Sequence, residues 1–236
     1  FFSEYPHNGC IIVVTWSQRL DLETYLFHMG ANQAKELNQQ LNRGQWSEYQ
    51  KSLLNLSKDA RRKYLEKPSI ERGYKSKNFI TPLQYVVVGL CDSTATVQLI
   101  ARLSAQEGVI GGICRNENLE EVVQSYMAPA VRRNNHAVLE PFLDEAVKLQ
   151  RLQEFITSAT TQSNSKTMRT TLLHIAVESN AVKCARVVLE RAKEGGILGE
   201  ILQAEDEAGQ EPLLRATKEC QALLNHYFDN VLIASP

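Results

Sequence analysis

The stretch TLLHIAVESNAVKCARVVLERA, at positions 171–192, constrains the fold more than any other part of the chain. Its apolar residues first form a short segment that ends at Ala176. After the polar tripeptide ESN, they recur at three- and four-residue intervals from Val182 to Leu189. This spacing is typical of one face of an amphipathic helix, and it predicts a helix, a tight turn and a second helix. Two such helices cannot bury their apolar faces alone, so the stretch needs copies of itself to stack on.

Four other segments can be aligned with this stretch. Residues 171–176, TLLHIA, match the pattern T-P-L-H-x-A with the proline replaced. The aligned segments are DEAGQEPLLRA at 206–216, TPLQYV at 81–86, YMAPAVRRNNHAVLEPFL at 126–143 and, most faintly, NGCIIVVTWSQRLDLETYLFHMGA at 8–31. These segments resemble the ankyrin-repeat family, whose unit of roughly 33 residues carries that signature.

Two asparagines test the alignment. Four residues after the alanine of the signature, the family uses glycine, because the chain adopts a left-handed turn there. Asn134 and Asn180 occupy that offset from Ala130 and Ala176. Asparagine is the non-glycine residue that best tolerates this conformation. The alignment therefore predicts a positive φ at both asparagines.

The resemblance implies an all-α fold, an ankyrin-repeat solenoid of about five degenerate helix-turn-helix units with a helical insertion. Residues 1–31 would form a degenerate N-terminal ankyrin-like unit and 32–80 the insertion, with two or three helices punctuated by Gly44. Residues 81–236 would hold the other repeats, interrupted by insertions. We expect these units near 81–104, 125–156, 170–193 and 206–228.

Three connecting regions carry local predictions. The apolar spacing over 137–157 predicts one unusually long second helix. The polar segment TSATTQSNSKT, at 157–167, predicts a mobile loop that is dispensable for folding. The segment at 105–118, which contains a Gly-Gly pair, predicts a glycine-bearing connection. No Gly-Lys-Ser/Thr follows the pair, so a phosphate loop is not indicated.

Composition narrows the classes of function. The formal net charge of −1 favours neither nucleic acid nor a membrane surface as a partner. The insertion is the most basic part of the chain, but a solvated helix face explains it better than a nucleic-acid site. No apolar stretch approaches the ~20 residues of a membrane span. Five scattered cysteines are typical of reduced thiols in a cytoplasmic protein. The chain begins without methionine, so we expect it to be an excerpt of a longer protein.

Few side chains suggest chemistry. His174 could be a catalytic base, but the resemblance implies a structural histidine whose ring bridges backbone groups of adjacent turns. The pairs His7–Cys10 and Cys220–His226 lack the second half of a zinc site. Cys184 is expected to fill the core. A Cys–His nucleophile stays open, because such partners meet in space rather than in sequence. We expect no enzyme activity, no cofactor and no metal.

Partner-binding residues follow from the resemblance. In the family, the variable contact positions lie two and three residues after the signature alanine, on a concave face that also includes the hairpin tips. The candidates are Trp16, Arg132, Arg133, Glu178, Ser179, Lys218 and, at a hairpin tip, Glu207 and Gln210. Tryptophan and arginine are enriched at interface hot spots. Trp16 fits a core tryptophan equally well, and the two arginines could instead pair with carboxylates such as Glu120 or Glu121.

The expected function is that of a protein-protein interaction module, which binds a partner protein of unknown identity through the concave surface. A second interpretation stays open. Degenerate arrays with long insertions also resemble the ankyrin effectors that intracellular bacteria such as Legionella inject into the host cytoplasm. In that case the chain would be the targeting part of a longer protein whose enzymatic activity lies elsewhere. A third interpretation is a eukaryotic scaffold.

Overall fold

The computed structural model describes residues 31–72, 78–163 and 166–234. These residues are mostly helical, with two short antiparallel β-hairpins, in agreement with the predicted all-α class. One compact unit ends at Gly112 and a second begins at Ile113. This division follows packing and not repeats, so the predicted unit boundaries stay predictions. The ankyrin-like unit predicted at 1–31 lies, apart from Ala31, outside the described residues.

The first unit contains three helices, a hairpin and a helix pair. Its elements in chain order are α1 (Ala31–Asn42), α2 (Trp46–Asn55), α3 (Lys58–Glu66), β1 (Ile70–Arg72), β2 (Asn78–Ile80), α4 (Pro82–Val87) and α5 (Thr94–Gln106). The prediction of two or three helices before residue 80 is confirmed. Gly44 separates α1 from α2 with a φ of 68°, a conformation that glycine adopts without steric cost. Tyr49, Leu53 and Tyr64 from α2 and α3 are completely buried.

Thr81 starts α4 with a reciprocal cap. Its hydroxyl accepts a hydrogen bond from the Gln84 backbone N–H at 3.1 Å, and the Gln84 side-chain oxygen accepts one from the Thr81 N–H at 3.0 Å. Pro82 follows at the first helical position, where a missing N–H costs nothing. The Thr-Pro-Leu triplet therefore begins a helix, as the alignment predicted.

The connection predicted at 105–118 is partly helical. Residues Val109–Cys114 form α6, which contains both glycines of the Gly-Gly pair. Val109, Ile110 and Cys114 are buried. Burial of these side chains outweighs the low helix propensity of glycine, so the glycine-bearing connection contains a short helix that the sequence had not predicted.

The second unit holds three helix pairs, one hairpin and shorter helical turns. Its elements are α7 (Leu119–Val122), a π-helical turn (Val123–Met127), α8 (Ala128–Arg132), α9 (His136–Lys148), α10 (Leu152–Thr157), β3 (Ala159–Ser163), β4 (Lys166–Thr170), α11 (Leu172–Glu178), α12 (Val182–Glu194), α13 (Leu198–Leu202), α14 (Pro212–Arg215) and α15 (Lys218–Ala234). Helix α13 had not been predicted.

The three helix pairs of this unit stack in series. The first helices contact one another in the order α8, α11, α14, and the second helices do so in the order α9, α12, α15. Completely buried side chains fill the layers between them, among them Val138, Leu139, Phe142, Leu173 and Val188. Each pair thus packs against its neighbours as well as within itself.

The long helix predicted over 137–157 is two helices. Helix α9 ends at Lys148, and α10 begins at Leu152. Gln150, between them, has a φ of 56°, and the Arg151 N–H donates to the Ala146 carbonyl at 2.9 Å, which closes the helix end. A left-handed residue ends a helix in this way, but glutamine rarely takes this position. The sequence therefore gave no stop signal.

The prediction of a loop at 157–167 was also wrong, because most of this segment lies in a β-hairpin. Residues 159–163 pair antiparallel with 166–170, in a register that joins Ala159 to Thr170 and Ser163 to Lys166. Ala159 and Thr170 are buried at the base of this hairpin. Its threonines favour strands because their branched side chains fit an extended backbone. The strands have no run of apolar residues, and for this reason the sequence resembled a loop.

Candidate functional site

The three connections between first and second helices form the candidate site. We call residues 132–135, 178–181 and 216–218 the turn edge. They follow α8, α11 and α14 respectively. The turn edge contains the predicted partner-binding residues of this unit, apart from the hairpin-tip residues Glu207 and Gln210.

Two asparagines shape the turn edge. Asn134 has a φ of 53° and Asn180 a φ of 51°, so the predicted left-handed turns are confirmed. The Asn134 side-chain oxygen accepts hydrogen bonds from the backbone N–H groups of Lys183 at 3.0 Å and Cys184 at 3.2 Å. Helix α12 has no side-chain cap of its own at Ala181. The turn of one helix pair therefore caps the second helix of the next pair.

Asn180 contacts the start of the next second helix through side chains and not through backbone N–H groups. Its side-chain oxygen accepts a hydrogen bond from the Thr217 hydroxyl at 2.6 Å and lies 3.7 Å from the Cys220 sulfur. Cys184 and Cys220 each lie at the third position of a second helix, where they face the preceding turn. The turn edge is thus continuous from α8 to α15.

His174 is a structural residue. It is completely buried, and its Nδ1 lies 2.9 Å from the Thr171 hydroxyl while its Nε2 lies 2.8 Å from the Gln210 carbonyl oxygen. A carbonyl only accepts, so Nε2 donates to Gln210 and Nδ1 accepts from Thr171. The Thr171 oxygen in turn accepts from the His174 N–H at 3.2 Å. This ring joins α11 to the turn before α14.

The burial of His174 predicts a pH-dependent stability. Burial lowers the pKa of His174 below its ordinary value of 6.5, against the smaller opposing effects of the Gln210 carbonyl and the nearby carboxylates. The folded chain therefore binds a proton on this ring less readily than the unfolded chain. The stabilisation is present above about pH 6.5 and is lost as the pH falls through the lowered pKa of His174.

We expect wild-type stability to fall more steeply between about pH 7.5 and 5.5 than that of His174→Gln, because glutamine does not titrate. Urea unfolding at both pH values measures the difference. His226→Gln is the control, because His226 is exposed. Equal slopes for wild type and His174→Gln would contradict a buried neutral histidine.

Asp206 organises the turn that supports His174. One of its carboxylate oxygens accepts from the backbone N–H groups of Ala208 at 2.8 Å and Gln210 at 3.1 Å. The other forms an ion pair with Arg215, which also binds the Glu178 carboxylate. The Asp206 side chain is only 4% exposed. The Asp-x-x-Gly pattern in the sequence marked this turn, but nothing in it identified the partnership of Arg215 with Asp206 and Glu178.

The arginine pair is at the open surface of the turn edge. Arg132 ends α8 and Arg133 follows it, and both side chains are exposed. Within the described ranges, neither guanidinium group forms an ion pair, so the alternative pairing with Glu120 or Glu121 is not found. Met127, Ala130 and Val131 supply the buried face of this segment. The two arginines are therefore not needed for packing.

The other predicted residues have different positions. Glu178 and Ser179 are exposed on the turn edge, but Glu178 is held by Arg215. Glu207 accepts from the Arg169 N–H at 3.1 Å and donates its own N–H to the Arg169 carbonyl, so it joins the turn to β4. The Gln210 backbone carbonyl accepts a hydrogen bond from His174. Glu207 and Gln210 thus have structural roles besides their exposure.

Lys218 is the first residue of α15 and is therefore equivalent to Val182, the first residue of α12. Glu178, by contrast, is at the end of a first helix. Helix α14 ends at Arg215, before the signature alanine, so the offset from Ala216 misplaces Lys218. Its side chain is exposed beside Thr217 on the turn edge. Trp16 lies outside the described residues. Lys183, exposed beside the Asn134 turn, is a candidate that sequence reasoning missed.

Two of the described cysteines are unsuited to nucleophilic chemistry, and Cys10 lies outside the described residues. Burial raises the pKa of the Cys114 thiol to about 12 and that of the Cys184 thiol likewise to about 12. A thiol in that state is protonated at neutral pH and is a poor nucleophile. Among the described residues, no group of three His, Cys, Asp or Glu side chains is placed to hold a metal ion. No helix within those ranges has both the length and the apolar character needed to cross a bilayer.

Comparison of the chain with protein-family models, with curated proteins and with solved structures gave no match.

Proposed function

We propose that the second unit is a non-catalytic binding module of ankyrin-repeat type, which holds a partner protein on its turn edge. The observation that carries this proposal is the exposed Arg132–Arg133 pair on a rigid turn. The turn is fixed by the left-handed Asn134, whose side chain also binds the start of α12. The two arginine side chains are not part of the buried core, and they form no ion pair within the described part of the chain.

Three further features support the proposal. The helix pairs stack in series, as repeat units do. The Thr171 cap and the buried His174 are at positions that resemble the ankyrin signature, and the left-handed asparagines are at the offset where that family has glycine. A rigid surface binds with a small loss of conformational entropy, so exposed arginines fixed on it are suited to recognition.

We expect the double variant Arg132→Ala, Arg133→Ala to fold normally and to bind its partner less tightly. Exposed substitutions usually change the free energy of unfolding by less than about 0.5 kcal/mol, whereas each hot-spot arginine contributes roughly 1 kcal/mol or more to binding. The experiment is affinity capture with the full chain as bait, followed by titration of the purified partner against wild type and variant.

The control is Lys148→Ala, which removes an exposed cation from the end of α9. Its partner affinity should equal that of wild type. Unchanged affinity in the double arginine variant would remove the turn edge from the site. A lowered melting temperature in that variant would place the arginines in the fold instead.

A further inference from the structure

Several cations of the second unit are held in ion pairs. Arg115, Arg151, Arg191 and Arg215 all bind carboxylates of this unit, and Arg191 alone contacts Glu140, Asp144 and Glu194. These pairs tie neighbouring elements together, as α9 is tied to α12 through Arg191. The exposed cations of the turn edge form no such pair with any described residue.

Four exposed cations, three on the turn edge and Lys183 beside it, form no ion pair with a described residue and are linked along the chain by the asparagine contacts. Arg132 and Arg133 directly precede Asn134, whose side chain binds the backbone of Lys183. Asn180, on the next turn, binds Thr217, which directly precedes Lys218. We call Arg132, Arg133, Lys183 and Lys218 the basic row. All four side chains are exposed.

The carboxylates near the basic row do not neutralise it. Glu178, the one acid at an arginine-equivalent position, is bound by Arg215. Arg215 also pairs with Asp206, so this local charge is balanced internally. Glu219 is exposed beside Lys218 and is the remaining carboxylate at that end of the row. The row therefore presents a surplus of unpaired positive charge to whatever binds the turn edge.

We infer that the turn edge binds an extended acidic segment of a partner protein, whose carboxylates pair with the basic row. This inference rests on the proposed binding function and adds the chemistry of the partner. Guanidinium groups bind carboxylates with two parallel hydrogen bonds, and such pairs are stronger than neutral hydrogen bonds. The four cations lie at or after the ends of α8, α11 and α14 in turn, so a partner segment that reaches all of them has to be extended.

Nucleic acid fits this surface less well. Proteins that bind single strands combine a basic groove with exposed aromatic side chains on which bases stack. No Trp, Tyr or Phe side chain is exposed among the described residues whose burial is defined. The balanced Glu178–Arg215 pair also interrupts the row, where a continuous phosphate backbone would need cations throughout.

The test is fluorescence anisotropy with the full chain and labelled poly-L-glutamate, at about 0.1 M salt, where long-range attraction is screened within roughly 10 Å. Oligothymidylate of matched charge is the second probe. The variants are Arg132→Gln with Arg133→Gln, and Lys183→Gln. The matched control is Lys193→Gln, which removes an exposed cation from the other end of the same helix α12.

We expect saturable binding of poly-L-glutamate that weakens about tenfold in the double arginine variant and about threefold in Lys183→Gln, which corresponds to a loss of about 0.7 kcal/mol for each cation. Lys193→Gln should bind as wild type does. Equal weakening in Lys193→Gln would show diffuse attraction and overturn the inference. Tighter binding of oligothymidylate would overturn it in favour of nucleic acid.

Partner capture separates this inference from the proposed function. If the arginine variant loses the captured partner while wild type fails to bind poly-L-glutamate, the proposed binding function is retained. The inference that the partner segment is acidic is then wrong. If no basic-row variant changes capture, both proposals fail. Melting curves of all variants should coincide, because none of the substituted side chains is buried.

Discussion

Replacing Asp206 by alanine is expected to lower the free energy of unfolding by about 3 kcal/mol, because two backbone N–H groups lose a charged acceptor and Arg215 loses one of its two carboxylate partners. The carboxylate accepts two backbone N–H groups of its turn and pairs with Arg215. The Arg215 Nε atom is buried without a hydrogen-bond partner among the described residues, so after the loss of Asp206 this guanidinium would be held by Glu178 alone. The turn also positions the Gln210 carbonyl that binds His174. Urea unfolding followed by circular dichroism measures the loss.

Asp206→Asn is the informative control for this prediction. The amide oxygen can still accept from Ala208 and Gln210, but the charge opposite Arg215 is lost. Its destabilisation should therefore be about half that of alanine, since hydrogen bonds to charged groups contribute roughly 1.5–3 kcal/mol. Glu205→Ala, an exposed carboxylate in the same loop, should stay within about 0.5 kcal/mol of wild type. Equal stability of wild type and Asp206→Ala would show that the turn holds without its carboxylate.

Replacing Ala176 by leucine is expected to destabilise the chain by about 1–3 kcal/mol, the usual cost of forcing a larger side chain into a packed core. Ala176 is completely buried in α11, which contacts α8 on one side and α14 on the other. Its carbonyl accepts from the Ala181 N–H at 2.7 Å, so the turn closes tightly over it. Thermal and urea unfolding both report the change.

The control for Ala176→Leu is Ala222→Leu, which adds the same atoms to an exposed position of α15. Its stability should remain within about 0.5 kcal/mol of wild type. A variant Ala176→Leu as stable as wild type would mean that α11 has space for a larger side chain. The alignment of this segment with the repeat signature would then be wrong.

Local rules that act within a few residues could be read from the sequence. The apolar spacing after residue 171 predicted a helix, and Thr171 caps the start of α11 through its hydroxyl. Asparagine at a fixed offset from a buried alanine predicted the left-handed turns at Asn134 and Asn180. Each of these features depends on the chemistry of one short segment, and so its signal is present in the residues themselves.

Features that depend on distant partners could not be predicted. Gln150 ends α9 although glutamine carries no helix-stop signal. The hairpin at 159–170 forms although its strands are polar, with the Thr160 carbonyl bound by Gln124 and the Arg169 backbone bound by Glu207. Lys183 joined the candidate site only through the Asn134 side chain, a contact between residues far apart in sequence. Arg215, likewise, could not be matched to Asp206 and Glu178 by spacing.

The asparagine contacts of the stacked helix pairs all run in one direction along the chain. Asn134 holds the first amides of α12, and Asn180 holds the start of α15, so support passes from each pair to the one that follows it in the chain. Losing α14 and α15 would leave the start of α12 capped, whereas opening the α8 turn would release it. Amide protons of Lys183 and Cys184 should therefore exchange with solvent when the preceding turn opens, and not when the following pair does. The order in which the helix pairs unfold would thus depend on the end of the stack at which unfolding begins.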